Sequence, residues 1–229
     1  MTANLPPVLL LHGWGGSFAS IYEAYGWSGA FEALGRCVIA FDLPGHGSSK
    51  AATEPGAYSD LAGAVAASLP SYPVDVVGFS LGAKLALALA SANRTLYRRI
   101  VIGGVGDNIF APEASGELLA QALVGPGLTA VPDSVRALAS YAVRNGNDAA
   151  AMAAVLRRPS NPVMSPGDLP SGEGILLINS DADAIALPDQ ALRAAMPKAA
   201  CIRFKGGGHL SLPADPVFRG EAIRFLSAK

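Results

Sequence analysis

The sequence is poor in charge and in cysteine. Only 15% of its 229 residues are charged, and the formal net charge is −1. A chain so close to neutral, without a run of basic residues interleaved with aromatics, has no long-range attraction for nucleic acid or anionic membranes, so neither is expected as a partner. The two cysteines, Cys37 and Cys201, lie apart inside apolar runs. This pattern predicts small core residues on strands, and neither a zinc site nor a disulfide framework.

Long apolar runs are also missing. The longest helix-like run covers residues 85–92, far short of the roughly 18 residues that a membrane span needs. The first residues, MTANLPP, contain no basic segment followed by an apolar stretch of signal-peptide length. No membrane span is therefore expected, and the predicted location is the cytoplasm.

Hydrophobic residues are abundant, at 51% of the chain, which suits one domain with a large core. Short, continuously apolar runs bounded by Gly, Pro and Asp alternate with helix-like patterns, and such runs predict strands covered on both faces. The alternation predicts an α/β fold with a doubly wound, mostly parallel sheet of about six strands. The predicted strands cover residues 8–11, 37–41, 74–78, 100–104, 175–178 and 201–204. The predicted helices cover residues 17–34, 59–69, 81–92, 188–196 and 216–226.

One segment, residues 106–166, has no strand-like run. It contains helix-compatible stretches at 116–123 and 135–143, is interrupted by Gly125-Pro126-Gly127, and ends in a proline-rich tail (Pro159, Pro162, Pro166, Pro170). Such a length is unusual for a plain connection. We therefore predict a small helical lid inserted after the fourth strand, with the core formed by residues 1–105 and 167–229.

The stretch VVGFSLGAK places a single hydroxyl, that of Ser80, between a predicted strand and a predicted helix. A chain that turns at once from strand into helix passes close to its neighbours, so the residues two before and two after the apex must be small, as Gly78 and Gly82 are. The apex is then held in a strained turn with its side chain above the sheet. The pattern predicts a nucleophile at Ser80; a serine that only caps the helix is the alternative.

An attacking serine needs a base, and the sequence has three histidines. In an elbow of this kind the chain order is Ser, acid, His. This order selects His209, because His12 and His46 precede Ser80. For those two histidines we predict structural hydrogen bonds within their own loops.

The oxyanion that forms on attack needs preorganised N–H donors. One candidate is the backbone N–H of Leu81, at the start of the helix that follows the nucleophile. The other is the backbone N–H of Trp14, in the glycine-rich loop LLLHGWGGS, for which a plain turn is the alternative. The side chains of Trp14, Phe79 and Leu81 are predicted to contact the substrate.

Together these pieces resemble the α/β-hydrolase family over essentially the whole chain: HGWGG after the first strand, DLPGHGSS after the second, GFSLG at the elbow and GGGH after the last. HGWG with a Ser-Leu-Gly elbow is most similar to the small carboxylesterases, including the pimeloyl-carrier-protein methyl ester esterases. The resemblance implies a serine hydrolase with a catalytic triad and no metal or organic cofactor. Only seven residues precede Val8, so the antiparallel hairpin that usually opens the family's sheet is expected to be missing.

The triad acid must lie between Ser80 and His209 in the chain, just beyond the carboxyl end of a strand. The fifth strand, GILLIN, leads into SDADAIALP, which offers Asp181 and Asp183, and Asp107 follows the fourth strand. The family's usual pattern puts the acid three residues beyond the small residue that ends the strand, which favours Asp183. Asp181 is expected to bond its own turn. Asp181 and Asp107 are kept as alternatives for the acid.

The predicted function is hydrolysis of carboxylic esters with short to medium, mostly uncharged acyl groups, through an acyl-enzyme on Ser80. A thioesterase, a C–C bond hydrolase or an acyltransferase would use the same residues. A non-catalytic ligand receptor on this fold is a hypothesis of another class. The expected partner is a small-molecule ester, and the sequence does not indicate an oligomeric state.

Overall fold

A computed structural model describes residues 5–111, 116–125, 131–159 and 164–228. Its six-stranded sheet has the order β2-β1-β3-β4-β5-β6, and all neighbours are parallel. The predicted α/β class is confirmed. The strands are β1 (Val8–Leu11), β2 (Val38–Phe41), β3 (Val74–Phe79), β4 (Tyr97–Gly103), β5 (Ile175–Ser180) and β6 (Ala200–Phe204).

The strand order reverses at β1, because the chain passes first to β2 on one side and then to β3 on the other. In open α/β sheets the crevice at such a switch point, beyond the carboxyl ends of the strands, is where ligands bind. The carboxyl ends of β1 and β3 are paired through Leu11 and Gly78. The loop after β1 and the turn after β3 therefore border the same crevice.

Eight α-helices occur in the described residues: α1 (Trp27–Glu32), α2 (Leu61–Ala67), α3 (Leu81–Ala92), α4 (Gly116–Val124), α5 (Asp133–Arg144), α6 (Ala149–Leu156), α7 (Gln190–Ala195) and α8 (Pro216–Ser227). Successive residues of a strand point to opposite faces of the sheet. Accordingly Leu9 and Leu11 of β1 belong to a core with α2, α3 and α7, whereas Val8 and Leu10 belong to a second core with α1 and α8. The sheet is thus covered on both faces.

Helices α4, α5 and α6 lie between β4 and β5 along the chain. The stretches predicted to be helical at 116–123 and 135–143 fall within α4 and α5, while α6, in the alanine-rich AAAMAAVL, is not among the predicted helices. No strand occurs in the described residues between β4 and β5. Pro126, Gly127 and Pro162 lie outside the described residues.

The expectation that both cysteines are core residues was wrong. Cys37 and Cys201 are exposed, because each lies at an edge of the sheet. Cys37 directly precedes β2 and Cys201 is in β6, and these are the two outermost strands. Neither edge strand contains a buried residue. A short apolar run therefore does not by itself show that a strand is covered on both faces.

The single helix predicted over residues 17–34 is in fact interrupted. A π-helical turn at Ala19–Glu23 is followed by Gly26, whose φ of 71° lies in the left-handed region, and only then by α1. Glycine adopts this conformation without the steric cost of a side chain, so it permits the break. Among the described residues, no helix is long and apolar enough to cross a membrane.

Candidate active site

Ser80 lies at the apex of the turn between β3 and α3. Among the described residues it is the only non-glycine residue with positive φ (53°, with ψ −113°). Its amide donates to the carbonyl of Gly103 in β4 (2.9 Å), a bond that helps to hold the strained turn. The flanking glycines are sterically required. A Cβ at Gly82 would overlap the Leu11 carbonyl, and one at Gly78 would lie 2.5 Å from the Gly82 carbonyl oxygen.

His209 follows β6 and begins a 3₁₀-helix, His209–Ala214. Its Nε2 lies 2.9 Å from Ser80 Oγ, and its Nδ1 lies 3.0 and 2.9 Å from the two carboxylate oxygens of Asp183. The ring packs beside Phe79, with the ring centroids 5.0 Å apart. An ionised carboxylate can only accept hydrogen bonds. The proton of a neutral ring is therefore held on Nδ1, which leaves Nε2 to accept the serine proton.

Asp183 is fully buried. Its Oδ1 also accepts hydrogen bonds from the backbone N–H groups of Ile185 and Ala186, both at 3.0 Å. These bonds hold the carboxylate in one orientation toward the imidazole. The turn-bonding role expected of Asp181 therefore belongs to Asp183.

The two alternative acids lie elsewhere. Asp181 is exposed. Asp107 accepts a hydrogen bond from the N–H of Leu192 (2.9 Å) in the first turn of α7. Of the three aspartates considered, the structure thus brings only Asp183 to His209.

Residues 13–16 form a β-turn beside Ser80. The N–H of Gly16 donates to the carbonyl of Gly13 (3.2 Å), and Gly15 has a φ of 74°, as a type II turn requires at its third position. Such a turn leaves the N–H of its second residue, Trp14, unused. A Cβ at Gly13 would lie only 3.1 Å from Ser80 Cβ. The backbone of the turn therefore lies so close to Ser80 that a side chain at position 13 would be crowded.

Leu81 opens α3, where the first N–H groups of a helix have no acceptor within the helix. The N–H groups of Ala83 and Lys84 already donate to the Ser80 carbonyl (3.0 and 3.1 Å). The side chain of Leu81 is buried in the core, and it is not among the residues that line the cavity beside Ser80. Its backbone, rather than its side chain, is what the site can use.

A cavity of about 370 Å³ opens beside Ser80 and His209. Trp14 and Phe79, both predicted to contact substrate, line it, and the indole Nε1 of Trp14 donates to the Met152 carbonyl (3.4 Å). The wall opposite the sheet is mostly apolar and comes largely from the segment between β4 and β5. The other lining residues are Lys84, Asn108, Ala111, Gly116, Leu119, Leu138, Leu156, Ile185 and Leu210.

Sequence reasoning missed Lys84 as a cavity residue. It lies in the first turn of α3, and its side chain lines the same cavity as Ser80. The side chain is buried, and its Nζ donates to the Asn108 carbonyl (3.4 Å). Helical spacing gave no signal, because Ser80 precedes α3 with a non-helical φ of 53°. Read as part of an apolar helix, LGAKLALALA, the lysine gave no indication that it faces the cavity.

His46 is bonded within its own loop, as expected, whereas His12 is bonded both within its own loop and to the loop after β2. Nδ1 of His12 lies 2.9 Å from the Gly13 carbonyl, and its Nε2 accepts from the Leu43 N–H (3.0 Å). Nδ1 of His46 lies 3.1 Å from the Pro44 carbonyl. The rings pack together with centroids 5.2 Å apart. Burial lowers the pKa of both, that of His46 to about 3, so both are neutral near pH 7.

The described residues contain no group of three or more His, Cys, Asp or Glu side chains arranged to hold a metal ion. The polar groups gathered at the carboxyl end of the sheet are instead the hydroxyl of Ser80, the imidazole of His209 and the carboxylate of Asp183. A nucleophile, a base bonded to it and a group that orients the base are what nucleophilic catalysis requires.

Comparison with known proteins gives one family. The model described as "Alpha/beta hydrolase family" matches residues 8–219. A pimeloyl-[acyl-carrier protein] methyl ester esterase of Chromobacterium violaceum is 34% identical over 133 residues, which is 52% of this chain and 48% of that protein. The matched part of the chain therefore spans about half the length of this relative.

Two solved structures have the same fold. MGS-M2, an alpha/beta hydrolase enzyme from a Medee basin deep-sea metagenome library, is 18% identical with a TM-score of 0.73, covering 100% of this chain and 92% of its own. NosK from Streptomyces actuosus is 23% identical with a TM-score of 0.67, covering 97% of each chain. At these identities the likeness concerns the fold alone.

Proposed function

This chain belongs to the alpha/beta hydrolase family, and on that premise we propose that it is a serine hydrolase that cleaves carboxylic esters through a covalent intermediate on Ser80. The observation that carries the proposal is the pair of bonds made by His209, with Nε2 2.9 Å from Ser80 Oγ and Nδ1 2.9 Å from Asp183 Oδ2. A role as a helix cap alone is not supported, because the Ser80 side chain makes no capping hydrogen bond, and a partly buried imidazole and a buried carboxylate lie in line behind it.

In the proposed acylation step, Ser80 Oγ bonds to the ester carbonyl carbon while its proton passes to His209 Nε2. The carbonyl oxygen becomes an oxyanion that accepts hydrogen bonds from the N–H groups of Trp14 and Leu81. Asp183 holds the imidazole in the required tautomer and stabilises the imidazolium. His209 then gives the proton to the departing alcohol oxygen as the carbon–oxygen bond breaks.

In the proposed deacylation step, a water molecule takes the place of the alcohol. Its proton passes to His209 Nε2 as its oxygen attacks the acyl carbon, and the acid is released when the proton returns to Ser80 Oγ. No cofactor is required, since every proton and every charge in this sequence is handled by the chain's own groups.

The proposed substrates carry short to medium, mostly uncharged acyl groups. This rests on the cavity volume of about 370 Å³ and on the apolar side chains that dominate its wall. Lys84 is the exception, because its side chain lies along the same cavity.

We further propose that residues 106–166 act as a helical lid over the 1–105 and 167–229 core, since Leu119, Leu138 and Leu156 of this segment line the cavity.

The test is a panel of chromogenic esters of graded acyl length, each paired with the matching thioester, plus one ester whose acyl chain ends in a carboxylate. We expect turnover of the neutral esters, complete inhibition by a fluorophosphonate, and one label per chain on the Ser80 peptide. Faster cleavage of thioesters than of esters would assign a thioesterase. Absence of both turnover and labelling would contradict a catalytic function and favour a ligand receptor.

A further inference from the structure

Asn147 lies just beyond the carboxyl end of α5, and its backbone is held there by a Schellman motif. The N–H of Asn147 donates to the Ala142 carbonyl (3.2 Å), the N–H of Gly146 donates to the Val143 carbonyl (3.0 Å), and Gly146 has a φ of 80°. This is the 6→1 and 5→2 pair with a left-handed glycine that ends many helices. The end of α5 thus fixes where the Asn147 side chain begins.

The buried carboxamide of Asn147 joins three segments. Its Nδ2 donates to the carbonyls of Gly15 (2.8 Å) and Ala142 (3.2 Å), and its Oδ1 accepts from the N–H of Gly47 (2.9 Å) in the loop after β2. Two carbonyls on one side and an N–H on the other admit only one orientation of the amide. A carboxylate of the same shape would face two carbonyl oxygens without a proton to give them.

The Gly15 carbonyl belongs to the turn that presents the N–H of Trp14. On its other side the turn packs against α5, where a Cβ at Gly15 would lie 3.0 Å from Ala142 Cβ. Asn145 donates to the same carbonyl (3.0 Å) but is only partly buried. Because the Gly16 N–H is bonded to the Gly13 carbonyl, fixing the Gly15 carbonyl fixes the neighbouring peptide planes, including the one that carries the Trp14 N–H.

We propose that Asn147 is a positioning residue for ester hydrolysis, which acts by holding the 13–16 turn so that the Trp14 N–H meets the oxyanion. The inference rests on the proposed function of Ser80 and His209. It also means that the segment between β4 and β5 contributes to the chemistry and not only to the wall of the cavity, because Asn147 is part of that segment.

The test compares Asn147→Ala with Asn145→Ala, which removes a donor to the same carbonyl from a site that water can reach. Active sites are titrated with a fluorophosphonate, so that kcat is expressed per functional site. For Asn147→Ala we expect kcat to fall on the order of tenfold with KM changed less than about twofold, since misaligning an oxyanion donor costs less than deleting one. For Asn145→Ala we expect a fall of less than about threefold, because water replaces the lost donor.

A second measurement distinguishes a positioning role of Asn147 from a role in the stability of the fold. An aryl trifluoromethyl ketone forms a tetrahedral adduct with the serine and so reports on the oxyanion site directly. Its affinity for Asn147→Ala should fall by about the same factor as kcat, while KM does not. If Asn147→Ala does not fold, Asn147→Ser, which keeps a small polar group in the space, is measured in the same way.

Wild-type kcat per titrated site, or an inhibitor affinity that does not fall with kcat, would overturn the role of Asn147. Equal losses in the two asparagine variants would overturn it too, because the buried amide would then have no special part. The proposed function is tested separately. If Ser80→Ala retained turnover, the mechanism itself would fail, whatever the asparagine variants showed.

Discussion

Each end of the sheet carries a buried carboxylate, but only one of the two is joined through a histidine to a serine hydroxyl. At the amino end of β3, Asp75 is fully buried and its Oδ1 accepts from Nε of Arg98 and from the N–H of Arg99, both at 3.0 Å. Its Oδ2 pairs with Arg36 (2.6 Å) and with Arg98. Both of these arginines also donate to the Leu226 carbonyl near the end of α8.

At the carboxyl end, the buried Asp183 is bonded to the partly buried His209, and the chain of bonds ends at a serine hydroxyl in a cavity. The larger opening, about 730 Å³, is a groove at the amino end that includes Cys37 and Arg98, whereas the cavity beside Ser80 measures about 370 Å³. Size therefore does not identify the site. The Asp75 carboxylate is bonded to arginines that in turn donate to a carbonyl of α8, whereas the other network ends at the Ser80 hydroxyl in the cavity.

Replacement of Ser80 should show most clearly that the two networks have different roles, because it should affect activity and not stability. We expect Ser80→Ala to lower kcat by a factor on the order of 10⁶, because the covalent step disappears. Thermal unfolding should be nearly unchanged, since the hydroxyl that is lost is only partly buried and lines the cavity. More than a few per cent residual esterase activity would contradict the assignment.

Asp183→Asn should have the next largest effect. The backbone N–H groups of Ile185 and Ala186 both contact Oδ1, so an asparagine would turn its oxygen toward them and its NH₂ toward His209 Nδ1. The proton of the imidazole would then lie on Nε2, where it blocks removal of the serine proton. We expect kcat to fall by roughly 10⁴. The matched control is Asp181→Asn, which should keep nearly full activity; the reverse order would move the acid to Asp181.

Asp75→Asn should damage the other network. Breaking a buried ion pair by removing one partner leaves an uncompensated charge and costs about 3 kcal/mol of the free energy of unfolding. Here the unmatched groups are Arg36 and Arg98. The measurement is urea unfolding, with kcat per titrated site expected to remain that of the wild type. Asp133→Asn, which removes the acid of an exposed pair with Arg136, should cost less than about 0.5 kcal/mol. If Asp75→Asn lowered kcat as much as Asp183→Asn, the assignment of the Asp75 network to stability alone would be wrong.

The carboxyl-end site could be predicted in part from local patterns, while the choice of Asp183 as the acid rested on the resemblance to the family. Gly78 and Gly82 are needed within two residues of Ser80, and the order of strands along the chain indicates which loops meet. The Asp75 network could not be predicted, since its arginines come from two separate segments and a single aspartate in VDVV looks like a strand residue. The cavity position of Lys84 and the bonds of Asn147 depend on how the segment between β4 and β5 docks, which no local pattern specifies.

Leu138 tests whether the part of the cavity wall that α5 forms sets substrate choice. It lies on α5, is partly exposed and lines the cavity, so a larger side chain can enter the space without disturbing a packed core. Leu138→Trp should lower kcat/KM for the longest acyl esters about tenfold relative to acetyl esters. Val143→Trp, an exposed position on the same helix, should leave the ratio unchanged. Equal changes for all acyl lengths would mean that α5 acts on the chemistry rather than on the acyl chain.

The smallest expected effect is a loss of stability at acid pH, and it arises from His46, whose ring packs against that of His12. Burial, together with the nearby His12, lowers the pKa of His46 to about 3, although Asp42 opposes the shift. As the pH falls below 6.5, His46 becomes protonated in the unfolded chain but stays neutral in the folded chain. Its contribution to the free energy of unfolding is therefore fully present above pH 6.5 and is lost progressively down to about pH 3. Between pH 6.5 and 5.5 the single proton costs about 1 kcal/mol of the free energy of unfolding. His46→Asn should flatten the fall measured by urea unfolding across this interval, and His12, buried and also lowered in pKa, should account for a slope that persists. An identical slope in wild type and variant would mean that His46 is protonated in the folded protein and that its burial does not hold it neutral.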